Sequence, residues 1–131
     1  MAGGSINVAI APGELIDKIT ILAIKLERII EADKLQNIRR EMDILARTRA
    51  EALPASAELD RLTEKLKAVN EKLWQIEDDI RECEAAGDFG PRFVELARAI
   101  YINNDARAEA KREINLLLGS DIIEEKSYKP Y

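Results

Sequence analysis

The sequence lacks histidine and contains a single cysteine, Cys83. The missing imidazole removes the commonest general base, the Ser-His and Cys-His nucleophile pairs, and imidazole ligation of metals. One cysteine allows neither a disulfide within the chain nor a thiolate metal cluster. Any chemistry would therefore depend on carboxylates, Lys, Arg, Tyr or a hard metal ion.

The sequence also lacks a net positive charge, because its 20 Lys and Arg residues are outnumbered by 25 Asp and Glu residues and the net charge is −5. Without a general positive field, neither nucleic-acid phosphates nor anionic lipids are attracted, so we expect no nucleic-acid partner. No apolar run reaches the roughly 18 residues that a membrane-spanning helix needs. The first residues, MAGGSINVAIAPGE, lack the basic start and long apolar stretch of a signal peptide. We expect a cytoplasmic protein with no membrane span.

Aromatic residues make up only 5% of the chain, whereas charged residues make up 34%. Since Leu, Ile and Ala supply most of the apolar content, this composition favours helices over sheets. The length of 131 residues suits one domain with one core. We predict a single all-α domain over residues 1–131, an antiparallel bundle of three to four helices.

Prolines, glycines and apolar periodicity predict the helix boundaries. The predicted helices are 12–32, 34–53, 57–86 and 91–118, with short extended N- and C-terminal tails. The break between the first two is expected near Asp33, which resembles the start of a capping box with Gln36. Pro54 and Gly87 end the second and third helices.

The third predicted helix has the clearest periodicity, and the fourth would pack on it as a long helical hairpin. Its apolar residues alternate by three and four: Leu59, Leu62, Leu66, Val69, Leu73, Ile76, Ile80 and Cys83. In the first helix, Ile21 and Ile24 fall outside the apolar stripe and would face solvent in a lone bundle, which indicates either a second packing partner or a subunit contact. The long apolar row and these two isoleucines together favour a homodimer.

The last helix turns from apolar to polar along its predicted inner row. Phe93, Ala97 and Ile100 begin the row, after which amide and cationic side chains take their places. One interpretation is a pocket for an anionic or hydroxyl-rich group, lined by Tyr101, Asn104, Arg107, Lys111 and Asn115. The other is structural: Asn104 and Asn115 fix the helix register, while Lys111 extends its amine to the rim. The sequence leaves both open.

Carboxylates offer a weaker hypothesis, a Mg²⁺ site. Glu14 and Asp17 lie one helical turn apart, and Glu77 and Asp79 flank the apolar row of the third helix. All-α nucleotide pyrophosphatases use paired ExxE and ExxD arrangements of this general kind, but the chain has one E-L-I-D and no proper second motif. A chorismate-mutase-like pocket of Arg, Lys and amide side chains is a further alternative, although nothing in the residue spacing requires it.

Four blocks of the sequence together resemble an uncharacterised family of small bacterial helical proteins of unknown function. The blocks are GELIDKITILAIKLERI, LWQIEDDIRECE, YINNDARAEAKREIN and IIEEKSY, and they cover about half the chain. Relatives of this kind resemble accessory proteins that are encoded near, or fused to, glycosyltransferase and surface-polysaccharide functions. The resemblance brings no established catalytic residues, so none is assigned.

Because no nucleophile, histidine or phosphate loop supports a catalytic motif in the polar last helix, the sequence favours a non-enzymatic protein. We expect a helical binding or protein-interaction module, accessory to bacterial surface-glycan assembly, with the polar last helix as its contact site and no cofactor. The alternative is a small helical enzyme or ligand-binding protein that acts on an anionic substrate such as a nucleotide, with Mg²⁺ as a weak cofactor candidate.

Overall fold

The computed structural model describes residues 4–131, which form four α-helices and contain no β-strand. In chain order these helices are α1 (Pro12–Arg28), α2 (Ala32–Ala52), α3 (Ala57–Ala86) and α4 (Pro91–Leu117). Non-helical segments precede α1 and follow α4, so the predicted all-α bundle with short tails is confirmed. Within residues 4–131, no helix has both the length and the hydropathy that a membrane crossing requires.

A tight turn joins α3 and α4 into the predicted long hairpin. Gly87 adopts a left-handed backbone conformation (φ 67°), which a side chain would disfavour. The N–H of Asp88 then donates to the Cys83 carbonyl at 2.9 Å, an interaction typical of a Schellman C-cap. Pro91 occupies the first turn of α4, where its missing N–H costs no hydrogen bond.

The hydrophobic core lies where α1 packs on this hairpin. Its buried cluster combines side chains of three helices: Ile16, Leu59, Leu62, Leu66, Ala110 and Ile114. α1 contacts all three other helices, whereas α2, within the described residues, packs helix to helix on α1 alone. α1 is therefore covered on two sides and needs a wide apolar stripe.

This position of α1 corrects two details of the sequence prediction. Ile24 is only 1% exposed, so of the two alternatives a second packing partner within the chain covers it rather than a subunit contact; Ile21 is half-buried. α1 also ends at Arg28 rather than Ala32, because the backbone is already extended at Ile29. The predicted break between the first two helices exists, but Glu31 rather than Asp33 occupies the N-cap position of α2.

The N-terminus of α1 lies directly against the backbone of α4. A Cβ atom built on Gly13 would lie 2.4 Å from the Lys111 carbonyl oxygen and 2.9 Å from Oδ1 of Asn115. Both distances are shorter than van der Waals contact allows. Only glycine therefore permits this approach of the two helices.

We predict that Gly13→Ala destabilises the protein by about 1–3 kcal/mol, because a methyl group there forces α1 away from α4. Urea unfolding followed by circular dichroism measures this change. Gly4→Ala is the matched control, since nothing lies within 4 Å of a Cβ atom at that position. An unchanged unfolding midpoint for Gly13→Ala would contradict the packing of α1 on α4.

Candidate functional site

A buried carboxylate, Asp17 of α1, lies at the junction of three helices. Asp17 is 1% exposed, and its Oδ1 accepts hydrogen bonds from Arg107 Nε and Asn70 Nδ2, both at 2.9 Å. Arg107 Nη2 donates to Oδ2, which completes a bidentate pair. A buried ion needs a partner and further hydrogen bonds to offset its lost hydration. Asp17 obtains them from α3 and α4, and so it ties both helices to α1.

Two further polar side chains close the network around Asp17. Nδ2 of Asn70 also donates to Thr20 Oγ1 at 2.9 Å, and that hydroxyl donates to the Asp17 carbonyl at 2.8 Å. Throughout residues 4–131, no buried side-chain nitrogen or oxygen lacks a hydrogen-bond partner. The cluster of Asp17, Thr20, Asn70 and Arg107 is therefore internally satisfied.

Asn115 caps α1 from a different helix. The N-cap residue Ala11 has no polar side chain, so the first N–H groups of α1 need another acceptor. Oδ1 of the buried Asn115 accepts from the Gly13 N–H at 2.7 Å. An amide that usually caps its own helix here performs that role between α4 and α1.

Lys111 lies between two carboxylates. Its Nζ donates to Glu14 at 2.6 Å and to Glu124 of the C-terminal tail at 2.8 Å. Burial disfavours the charged form, but the hydrogen bonds to Glu124 and Glu14 outweigh it and raise the pKa of Lys111. The same contact with Lys111 lowers the pKa of Glu124. The ammonium charge is thus already neutralised within the protein.

Little space remains around Lys111 and Asn115 on the tail side of α4. The cavity there measures about 20 Å³, enough for one water molecule and too small for a ligand. A larger, open groove of about 200 Å³, formed with residues 9–11, is also lined by Lys111 and Asn115, together with Glu14, Ile122 and Glu124. This half of the polar row therefore contacts α1 and the tail.

The other half of the row faces open space. A groove of about 330 Å³, which we call the central groove, lies between α1, α3 and α4. It is lined by Ile21, Ile24, Asn70, Leu73, Trp74, Glu77, Asp78, Asn104 and Arg107. The Arg107 side chain keeps 33% of its surface exposed. Its pKa is raised, first by the hydrogen bond to Asp17, so the guanidinium stays charged.

A second groove lies on the other side of Asn104, between α4 and the C-terminal tail. This tail groove has a volume of about 530 Å³ and is lined by Tyr101, Asn104, Asp105, Lys126, Tyr128, Lys129, Pro130 and Tyr131. The Tyr131 hydroxyl donates to Asp105 Oδ2 at 2.5 Å. The Tyr101 and Tyr131 rings meet edge to face with centroids 5.1 Å apart. Asn104 borders both grooves, and its side chain makes no hydrogen bond within residues 4–131.

The five predicted site residues consequently do not share one pocket. Lys111 and Asn115 are engaged with α1, and Arg107 joins the buried network while it lines the central groove. Tyr101 lines the tail groove and Asn104 lines both. The open part of the predicted site is therefore centred on Asn104.

The predicted metal ligands are also dispersed. Glu14 and Asp17 are paired with Lys111 and Arg107. Glu77 borders the central groove and lies 3.2 Å from the guanidinium of Arg81. Asp79 lies 3.8 Å from the guanidinium of Arg92. Within the part of the chain that the structure describes, no three acidic or cysteine side chains converge as a metal site would require. The Mg²⁺ hypothesis stays a prediction.

Sequence reasoning did not identify several residues of the site. Asn70 was not identified because the neighbouring Val69 continues the apolar row of α3. The positions Leu66, Asn70 and Leu73 also fit a four-three spacing, however, which places Asn70 on the same face. Trp74 lies outside the apolar row of α3 and lines the central groove. The tail residues carried no periodic signal, because the tail is not helical.

Comparisons with known proteins identify a family. A family model described as "Family of unknown function (DUF6165)" matches residues 6–131. This match spans all four helices and both non-helical segments, and it confirms the resemblance to an uncharacterised family. No curated protein and no solved structure matches the chain.

We predict that Asp17→Ala lowers the free energy of unfolding by about 3–5 kcal/mol, because it leaves the buried side of Arg107 without its partner. Urea denaturation provides the measurement. Asp60→Ala is the control: Asp60 is 78% exposed and pairs with Arg49 across 3.6 Å, so its removal should cost under about 1 kcal/mol. Equal effects of the two substitutions would show that Asp17 does not hold the helices together.

Proposed function

The chain belongs to DUF6165, a family of unknown function, and we propose that it is a non-enzymatic helical binding module. Its ligand is a hydroxyl-rich molecule, and its binding site is the central groove. One observation carries this proposal: the groove places a guanidinium donor and two carboxylate acceptors together, with the indole of Trp74 beside them.

The chemistry of the groove suits hydroxyl groups better than ions. Arg107 and the amides Asn70 and Asn104 can donate hydrogen bonds, while the carboxylates of Glu77 and Asp78 can only accept them. A small anion would be repelled by the carboxylates, and a cation could not accept hydrogen bonds from the guanidinium and the amides. Each hydroxyl group both donates and accepts, so a neutral polyol can use both sets of partners.

Trp74 supplies the apolar part of the site. Ligand pockets usually combine an apolar or aromatic wall with a few polar groups that orient the ligand. The indole, with Leu73 and Ile21, forms such a wall in a groove of about 330 Å³. A saccharide ring has an apolar C–H face and a rim of hydroxyl groups, and it fits this combination.

Arg107 is oriented before any ligand arrives. Two of its nitrogens, Nε and Nη2, are bound to Asp17, which is itself fixed by Asn70. Nη1 makes no hydrogen bond within residues 4–131 and can donate toward the groove. A donor that is already fixed loses little conformational entropy on binding, which favours affinity.

An enzyme acting on an anionic substrate is less well supported. The charge of Lys111 is balanced by Glu14 and Glu124, and the bidentate edge of Arg107 is occupied by Asp17. The two cations that such an enzyme would use are therefore engaged. The resemblance noted from the sequence favours a saccharide of a bacterial surface glycan as the ligand.

We also propose that two copies of the chain pair through the N-terminal segment. Ile6, Val8 and Ile10 alternate along it and, with Ile44 of α2, line an apolar groove of about 580 Å³. All four side chains are exposed. Residues 4–10 carry no charge and make no backbone hydrogen bond within the described residues, so two such segments can pair as antiparallel strands without repulsion.

The binding proposal is tested by the fluorescence of Trp74, the only tryptophan of the chain. We predict that neutral mono- and disaccharides such as glucose and maltose change its emission with saturation. Asn104→Ala should weaken that binding about five- to tenfold, the usual effect of losing a hydrogen bond of about 1 kcal/mol. Asn103→Ala is the matched control, because Asn103 donates to the Ala99 carbonyl and lines neither groove.

Two results would contradict the binding proposal. One is an unchanged Trp74 emission across neutral saccharides at tens of millimolar. The other is equal affinity of Asn104→Ala and the wild type, which would place binding outside the central groove.

The pairing proposal predicts a dimer in analytical ultracentrifugation at micromolar concentration. Val8→Asp should give a monomer, because two added carboxylates would face each other across the paired strands. Ile30→Asp is the control, since Ile30 is exposed between α1 and α2 and does not line the N-terminal groove. A wild-type protein that sediments as a monomer at 100 μM would contradict the pairing proposal.

A further inference from the structure

All three tyrosines of the chain line the tail groove. Tyr128 and Tyr131 are 80% and 77% exposed, and Tyr101 is also exposed, so none of them serves the hydrophobic core. Tyrosine offers a flat apolar face and a hydroxyl group on a side chain with few rotamers, which suits it to binding surfaces. Their grouping in one groove indicates a surface that contacts a ligand.

The tail groove differs in charge from the central groove. Lys126 and Lys129 border it, and within residues 4–131 neither forms a salt bridge. Nζ of Lys126 lies 5.6 Å from the centre of the Tyr128 ring, a cation–π contact that keeps the ammonium at the groove. Among the described side chains that line the groove, Asp105 is the acidic one, and it accepts the Tyr131 hydroxyl. The groove is therefore locally cationic in a chain of net charge −5.

Several contacts hold the tail against α4 and so maintain this groove. Glu124 binds Lys111 at 2.8 Å, Glu125 lies 3.4 Å from Arg112, and Tyr131 reaches Asp105. These contacts lie at both ends of the segment that carries the two free lysines. The tail wall is thus fixed at both ends.

Asn104 connects the two grooves, because it borders both. A saccharide ring in the central groove can place its hydroxyl groups between Arg107 and Glu77 and direct an anionic substituent past Asn104 toward Lys126. The carboxylates of Glu77 and Asp78 exclude an anionic group from the central groove, whereas the lysines of the tail groove attract one. The two parts of such a ligand are therefore sorted by charge.

We propose that the tail groove is a second subsite, which binds an anionic group on the saccharide held in the central groove. The ligand is then an acidic saccharide, a hydroxyl-rich ring that carries a carboxylate or a phosphate. This inference rests on the proposed function, because it assumes that the central groove holds the sugar ring.

The test compares four probes by Trp74 fluorescence at low ionic strength: glucose, glucuronate, glucose 6-phosphate and inorganic phosphate. We expect at least one of the two acidic sugars to bind about tenfold more tightly than glucose. Which of them binds more tightly identifies the anionic group that the tail groove prefers, a carboxylate or a phosphate. The preference should fall as salt is added, because exposed charges are screened. Phosphate alone should leave the emission unchanged.

Lys126→Ala/Lys129→Ala should remove the preference for the acidic sugar while the affinity for glucose stays within about twofold. Lys34→Ala/Lys72→Ala is the matched control; both lysines are exposed and lie outside the two grooves, so removing the same charge there should preserve the preference. Circular dichroism melting checks that each variant is folded.

The outcomes separate the two proposals. If glucose binds and neither acidic sugar binds better, the tail subsite is wrong while the central-groove function stands. If no sugar changes the emission, the function itself fails. If a glutamate oligopeptide competes as strongly as the acidic sugar, the tail groove is a protein-docking surface and the saccharide assignment is overturned.

Discussion

The buried Asp17 carboxylate is the constraint on which the arrangement of the other helices depends. It is inside the protein, 1% exposed, and its charge must be compensated there. Within residues 4–131, the guanidinium of Arg107 and the amide of Asn70 bind its carboxylate oxygens. Because those partners belong to different helices, the carboxylate sets the register of α1 against the hairpin of α3 and α4. The same register brings Gly13 against the α4 backbone.

α4 serves two purposes along its length, and the register set by Asp17 separates them. Toward its C-terminus, Lys111 and Asn115 hold the start of α1 and the tail, so their polarity is used within the fold. Toward its middle, Asn104 and Nη1 of Arg107 border open grooves. A structural interpretation and a ligand-binding interpretation of the polar row therefore apply to different halves of the same helix.

Much of the fold was predictable, because local chemistry determines where helices begin and end. Pro12, Gly87 and Pro91 mark boundaries that the structure places at the same residues, and the apolar row of α3 predicted the hairpin. The site was less predictable. Whether a second helix or a subunit covers Ile24 stayed open, since one helix pattern cannot tell how many neighbours will cover it. The role of Asn115 as a cap for α1 joins residues far apart in sequence.

The sequence by itself determined the helices, the polar character of the last one and the absence of histidine and paired cysteine chemistry. These properties follow from residue type and short-range spacing. Only the tertiary structure decided which polar side chains form hydrogen bonds and ion pairs with one another and which remain available to a ligand. That division depends on distances between helices, and a polar residue has the same letter in the sequence whether its partner is a buried carboxylate or water.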